Sequence, residues 1–134
     1  MSSTTSQSKS KRPLSPHLSI YKPIPTMVMS IFHRMTGVAL YVGTLLVAWW
    51  LIAAATSESH FNFVNGFFAS WFGLVVLFGY TWALMHHLLG GIRHFIWDTG
   101  SMMEKHTSTK LAYATMVGSV TLTVLVWAVG LIVT

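Results

Sequence analysis

The stretch "FNFVNGFFASWFGLVVLFGYTWALM", Phe61 to Met85, contains no Asp, Glu, Lys or Arg. A helix rising 1.5 Å per residue crosses a hydrocarbon core in about 20 apolar residues, so this run alone is long enough. Two further runs match it: "MTGVALYVGTLLVAWWLIAAATS", Met35 to Ser57, and "LAYATMVGSVTLTVLVWAVGLIVT", Leu111 to Thr134. The chain of 134 residues is 53% hydrophobic and 8% charged, whereas soluble domains carry about 25% charged residues. The sequence therefore predicts one all-α membrane domain of three transmembrane helices. The spans run over about 30–56, 62–97 and 108–133. Helix one starts near Thr26, whose hydroxyl can cap the first turn. The second helix stops near "DTG", where Gly100 suits a helix C-terminal cap. In the third, Gly118 and Ser119 point to close helix contact.

Residues 1–25 have no hydrophobic core and do not read as a secretory signal; they read as a cytoplasmic tail with a proline-rich interfacial segment. There is no cysteine, which removes disulfides, thiolate-held iron–sulfur clusters and covalently attached haem. The net charge of +5 is spread along the chain. Lys9, Lys11, Arg12 and Lys22 precede the first span, and Arg93, Lys105 and Lys110 surround the second loop. The first loop has Glu58 and no Lys or Arg. By the positive-inside rule the N-terminus is cytoplasmic and the C-terminus is outside. The charge reads as membrane topology rather than nucleic-acid binding. No lysine lies inside a span, which excludes a retinal Schiff base.

Directly after the opening stretch comes "HHLLGGIRHF", His86 to Phe95. With the expected topology it lies at the same depth as Ser30, His33 and Arg34 of helix one, and Asp98 follows close behind. Charged groups deep in a span cost about 2.5–3.5 kcal/mol on insertion scales, so clustering at one level implies a bound polar partner. His87 and His94 are seven residues apart and differ by about 20° on a helix, with Gly91 between them; His86 points about 100° away. An imidazole can serve as an axial ligand to haem iron, and glycine lets a flat macrocycle approach the backbone. Arg34 can bind haem propionates in a bidentate fork, or with Ser30 it can donate to a quinone carbonyl. Competing uses are an interfacial anchor or an ion pair with Asp98 for Arg34, a bond back to its own helix for Ser30, and snorkelling to lipid phosphates for Arg93. His17, His60 and His106 read as loop residues facing solvent. One ligand face on one helix leaves haem half coordinated, which points to a histidine from another subunit.

"RPLSPHLSIYKP", "SIFHRMTG" and "HHLLGGIRHFIWDTG", in that order, resemble the cytochrome b (large membrane-anchor) subunit family of succinate dehydrogenase, respiratory complex II. The likeness covers most of the chain, though the third span carries no signature. It implies that His87, four residues before the Gly of "GIRH", is the axial haem b ligand. It implies that Ser30 and Arg34 bind ubiquinone with Asp98 nearby, and that His33 and His94 lie against the haem. It further implies a second small anchor subunit that supplies the other haem ligand, and iron–sulfur and flavoprotein subunits docked on the cytoplasmic side. The expected role is to anchor haem b and pass electrons from succinate oxidation to ubiquinone, in the tricarboxylic acid cycle and aerobic electron transport. The chain alone is expected to have no dehydrogenase activity. A bacterial inner membrane is expected rather than a mitochondrial one. The rivals are a fumarate reductase anchor working with menaquinone and a non-redox transporter subunit with a histidine metal site.

Overall fold

The computed structural model describes residues 21–133. The first 20 residues, with most of the expected tail and His17, lie outside the described residues. In a bilayer every backbone N–H and C=O must find a partner within the protein, and a helix does this within one segment. All regular structure among the described residues is helical: α1 (Pro25–Thr56), α2 (Glu58–Ala69), α3 (Trp71–Asp98) and α4 (Lys105–Val133). Three of these, α1, α3 and α4, are long and apolar enough to cross a membrane.

α1 begins at Pro25, whose missing N–H falls where the first turn has no acceptor for it. Its N-cap is Ile24 with no side-chain bond, so the cap expected from Thr26 does not form. Ser57 ends α1 and caps α2 by accepting from the His60 N–H at 3.2 Å. Glu58 in the first turn of α2 complements the positive end of that helix.

The opening stretch does not form one helix. It breaks at Ser70, which adopts extended backbone (φ −65°, ψ 157°), donates its hydroxyl to the Phe67 carbonyl at 2.6 Å and accepts from the Gly73 N–H at 3.2 Å. The serine thus closes α2 and caps α3. A Cβ at Gly73 would lie 2.6 Å from Phe68 Cα, so the corner needs glycine there. The expected single helix over 62–97 is therefore a short α2, too brief at 12 residues to span, followed by α3. Apolar content alone does not place this break at Ser70, because the residues on both sides of it are apolar, although α2 as a whole is the less hydrophobic of the two.

α2 folds against the end of α1 around Ala53, Val64 and Phe68, with Leu46, Trp49 and Leu77 packed on this cluster. α3 is central and packs against both α1 and α4, and α1 also touches α4. Along α4 the buried positions are Ala112, Thr115, Ser119 and Thr123, small residues spaced by three or four that let backbones approach. A Cβ at Gly118 would lie 3.0 Å from Leu89 Cδ1, so the contact expected at Gly118 and Ser119 forms, against α3. Trp127 Nε1 donates to Thr81 Oγ1 at 3.2 Å and ties α4 to α3. α3 ends with Gly100 at φ +74°, the left-handed conformation expected of its cap.

Candidate functional site

The start of α1 and the end of α3 meet, and the imidazoles meet with them. The His33 and His87 rings stack at 4.0 Å between centroids and 6° between planes. His94 tilts onto His33 at 5.2 Å and sets its ring edge on Trp97 at 5.3 Å. His87 is further held from α1 by hydrogen bonding: its Nδ1 donates to the His33 carbonyl at 3.1 Å and lies 3.4 Å from Thr36 Oγ1. A carbonyl only accepts, so Nδ1 carries the proton and Nε2 keeps its lone pair. Nε2 has no hydrogen bond among the described residues. An imidazole whose inner nitrogen is held by a backbone carbonyl and whose outer nitrogen is free is arranged as a metal ligand. Thr36, buried in α1, gives its own proton to the Phe32 and His33 carbonyls at 2.8 and 3.0 Å. A Cβ at Gly37 would lie 3.0 Å from His87 Cε1, so that glycine admits the ring.

His86 goes elsewhere. It is 1% exposed, lies between Phe32 of α1 and Trp82 of α3, and reaches Ser119 of α4 with Nδ1 at 3.3 Å. Arg93 is 2% exposed with its guanidinium 5.1 Å from the centre of the Trp97 ring, a cation–π arrangement. The expectation that Arg93 snorkels to lipid phosphates is corrected by this burial. Arg93 and His86 share the inward stripe of α3 with Gly90 between them, and the missing side chain there leaves room beneath a neighbouring helix. Into that room comes His33: a Cβ at Gly90 would collide with its Nδ1. At Gly91 a Cβ would meet nothing within 4 Å among the described residues. The close approach that phase alone attaches to Gly91 is, within this chain, made at Gly90.

Ser30, four residues before Arg34, lines a cavity of about 370 Å³ with Thr26, Met27, Trp97, Met103 and Ser108, where the starts of α1 and α4 face the end of α3. Arg34 and Asp98 are exposed and have no hydrogen bond or ion pair among the described residues. The ion pair between them, the competing use of Arg34, does not form. Nor does Ser30 bond back to its own helix. His60 is half-buried near the start of α2, and His106 is exposed at the start of α4. The structure thus gathers His33, His87 and His94, sets Ser30 beside Trp97, and leaves Arg34 and Asp98 facing outward. Among the described residues no group of three or more His, Asp or Glu is arranged to hold a metal ion, because the imidazoles stack instead of converging their nitrogens. Sequence reasoning missed the inward pair His86 and Arg93. The available signal was their seven-residue spacing around Gly90, a stripe one residue behind the one chosen.

Residues 8–126 match the family described as succinate dehydrogenase/fumarate reductase transmembrane subunit. The chain is 43% identical over 117 residues to the succinate dehydrogenase cytochrome b556 subunit of Paracoccus denitrificans, covering 87% of this chain and 90% of that one. It is 37% identical over 127 residues to the protein of the same name from Rickettsia felis, covering 95% and 99%. It is 42% identical over 93 residues to the mitochondrial succinate dehydrogenase cytochrome b560 subunit of Sus scrofa, covering 68% of this chain and 55% of that one. A shared order of segments across nearly the whole chain, together with three helices apolar enough to span, leaves one assignment: the chain belongs to the succinate dehydrogenase/fumarate reductase transmembrane subunit family.

Proposed function

We propose that this chain is the cytochrome b membrane anchor of a succinate:quinone oxidoreductase, passing electrons from succinate oxidation in soluble subunits to ubiquinone. One observation carries the reading: the His87 Nδ1–H held on the His33 carbonyl at 3.1 Å, leaving Nε2 free. The residues fit haem b. His87 would be an axial ligand, and His33 and His94 would border the macrocycle with the Gly91 backbone. Haem, when bound, supplies a one-electron centre beside the quinone. Among the described residues only His87 has one ring nitrogen held on a backbone carbonyl and the other free, which supports a haem shared with a second small anchor subunit. That anchor, an iron–sulfur subunit and a flavoprotein subunit complete the assembly, with the lipid bilayer around it. The Lys and Arg bias supports a cytoplasmic N-terminus, the bacterial relatives support an inner membrane, and the start of α1 would then lie beneath the soluble subunits.

Ubiquinone would enter at the cavity lined by Ser30 and Trp97. Its reduction adds two electrons and two protons, and negative charge develops on the carbonyl oxygens before protons arrive. The Ser30 hydroxyl would orient one carbonyl. The Arg34 guanidinium would stabilise that oxygen charge by donating to it. Asp98, at the end of α3, would border the pocket. The test is a pair of variants in the purified complex. His87→Ala should abolish the b-type absorption band in reduced-minus-oxidised spectra, whereas His86→Ala should keep it. Loss of the band in His86→Ala with retention in His87→Ala would overturn the ligand assignment.

A further inference from the structure

The buried stripe of α3 and its surroundings hold more polar atoms than the described residues satisfy. His33 Nδ1, His86 Nε2, Arg93 Nε and Nη1, and Trp97 Nε1 are all buried without a hydrogen-bond partner among the described residues. His86 and Arg93 are among the most buried side chains, at 1% and 2% exposure. They flank Gly90, where the Nδ1 edge of His33 enters, and the guanidinium lies within electrostatic reach of both His33 and His86. Trp97 continues the stripe to the cavity that it lines with Ser30 and Ser108. Buried polar groups in native structures are almost always satisfied, so this concentration calls for a guest.

Proton bookkeeping identifies its chemistry. The Ser119 hydroxyl donates to the Met116 carbonyl of its own helix at 2.9 Å. The contact with His86 at 3.3 Å must therefore be donated by His86 Nδ1–H, and Nε2 is left as an acceptor. Arg93 Nε and Nη1 and Trp97 Nε1 can only donate. A guest that satisfies both sides must give a proton to His86 and accept protons from Arg93 and Trp97. A carboxylate cannot give, and this chain has only three acids, Glu58, Asp98 and Glu104, none of which reaches the guanidinium. Water does both, and buried waters typically make about three such bonds.

We infer that a short file of internal water molecules runs from the Ser30–Trp97 cavity past Arg93 and the His33 ring edge seated on Gly90 to end on His86 Nε2. The water hydrates the guanidinium inside the bundle, so that the charge needs no carboxylate partner. His86 is its inner terminus and Ser119 the anchor that fixes the imidazole tautomer.

The test is radiolytic footprinting of the whole membrane complex, in which hydroxyl radicals made from bound water label adjacent side chains. His86 and its ring neighbour Trp82 should be oxidised at least about tenfold faster than Trp71, which is 77% exposed on an apolar surface. Their rates should fall toward that of Trp71 in Arg93→Leu. A map of the wild-type complex at about 2 Å resolution needs no variant and should show isolated densities within hydrogen-bond reach of Arg93 Nη1 and His86 Nε2. A carboxylate from haem or a partner subunit on Arg93, a continuous organic density between Arg93 and His86, or labelling of His86 no faster than Trp71 would each overturn the inference. None of these outcomes bears on whether His87 ligates haem, which the spectrum tests separately.

Discussion

Gly90→Ala puts the geometry of the site at risk while sparing most of the fold. The added Cβ would collide with His33 Nδ1. The ring cannot slide away easily, because its face is stacked on His87 at 4.0 Å, and His87 in turn lies so close to Gly37 that a Cβ there would sit only 3.0 Å from its Cε1. His33 must rotate, at an overpacking cost of about 1–3 kcal/mol. Alanine returns about 1 kcal/mol through its better helix propensity. The net is about 0–2 kcal/mol against folding, so the complex should assemble and melt close to the wild type. The site should change far more, since turning His33 removes the stack that sets the plane of His87. The assay is electron paramagnetic resonance of the oxidised complex, whose largest haem g value follows axial imidazole orientation. We expect a shifted signal or reduced haem content at nearly unchanged thermal stability. Gly91→Ala is the control, since its Cβ meets nothing within 4 Å among the described residues and brings the same gain in helix propensity. A Gly90→Ala complex with the wild-type g value and full haem would refute the claim that His33 positions His87.

Ser119→Ala removes the acceptor of the His86 N–H and strands a buried donor. It should cost about 1–3 kcal/mol in thermal or denaturant unfolding of the complex while leaving the b-type band in place. Ser70→Ala deletes the cap at the start of α3 and should cost about 0.5–2 kcal/mol in the same unfolding measurement; Ser70→Asp should restore most of it. Arg34→Leu should lower quinone reduction by at least about tenfold, a loss of about 1.4 kcal/mol in transition-state stabilisation. Succinate oxidation by soluble artificial acceptors should stay near normal, and a parallel fall of both activities would assign Arg34 to assembly instead.

Much of this was legible from sequence because membrane helices obey a coarse rule. Runs of apolar residues long enough to cross must be helical, so three spans follow from composition, and the resemblance in "SIFHR" and "GIRH" marks where α1 and α3 meet. The break at Ser70 was not legible. In a soluble helix a turn shows as lost amphipathic period, but from Gly66 to Gly79 the residues on both sides of Ser70 are almost all apolar, and within the stretch only Asn62 and Asn65 give the earlier piece a polar side. Only the hydroxyl of Ser70 and the missing side chain of Gly73 mark the corner, and serine and glycine are common inside spans.

The one-residue offset between the two histidine stripes has a similar origin. In water, burial follows hydrophobicity, so the apolar face of a helix identifies its inner side. In a bilayer lipid takes the apolar face, and polar residues turn toward the bundle or toward a partner. Both stripes of α3 are polar: His87, Gly91 and His94 on one, and His86, Gly90 and Arg93 on the other. The sequence shows two candidates for the inside and no rule for choosing between them. The choice lies on α1 and α4. Ser119 can accept from His86, the His33 carbonyl can accept from His87, and His33 fits over only one of the two glycines. Those contacts turn α3 so that the arginine stripe faces inward and the His87 stripe lies at the edge of the bundle. An edge position suits a ligand shared with another subunit, and an inward one suits a guest small enough to share space with three packed helices.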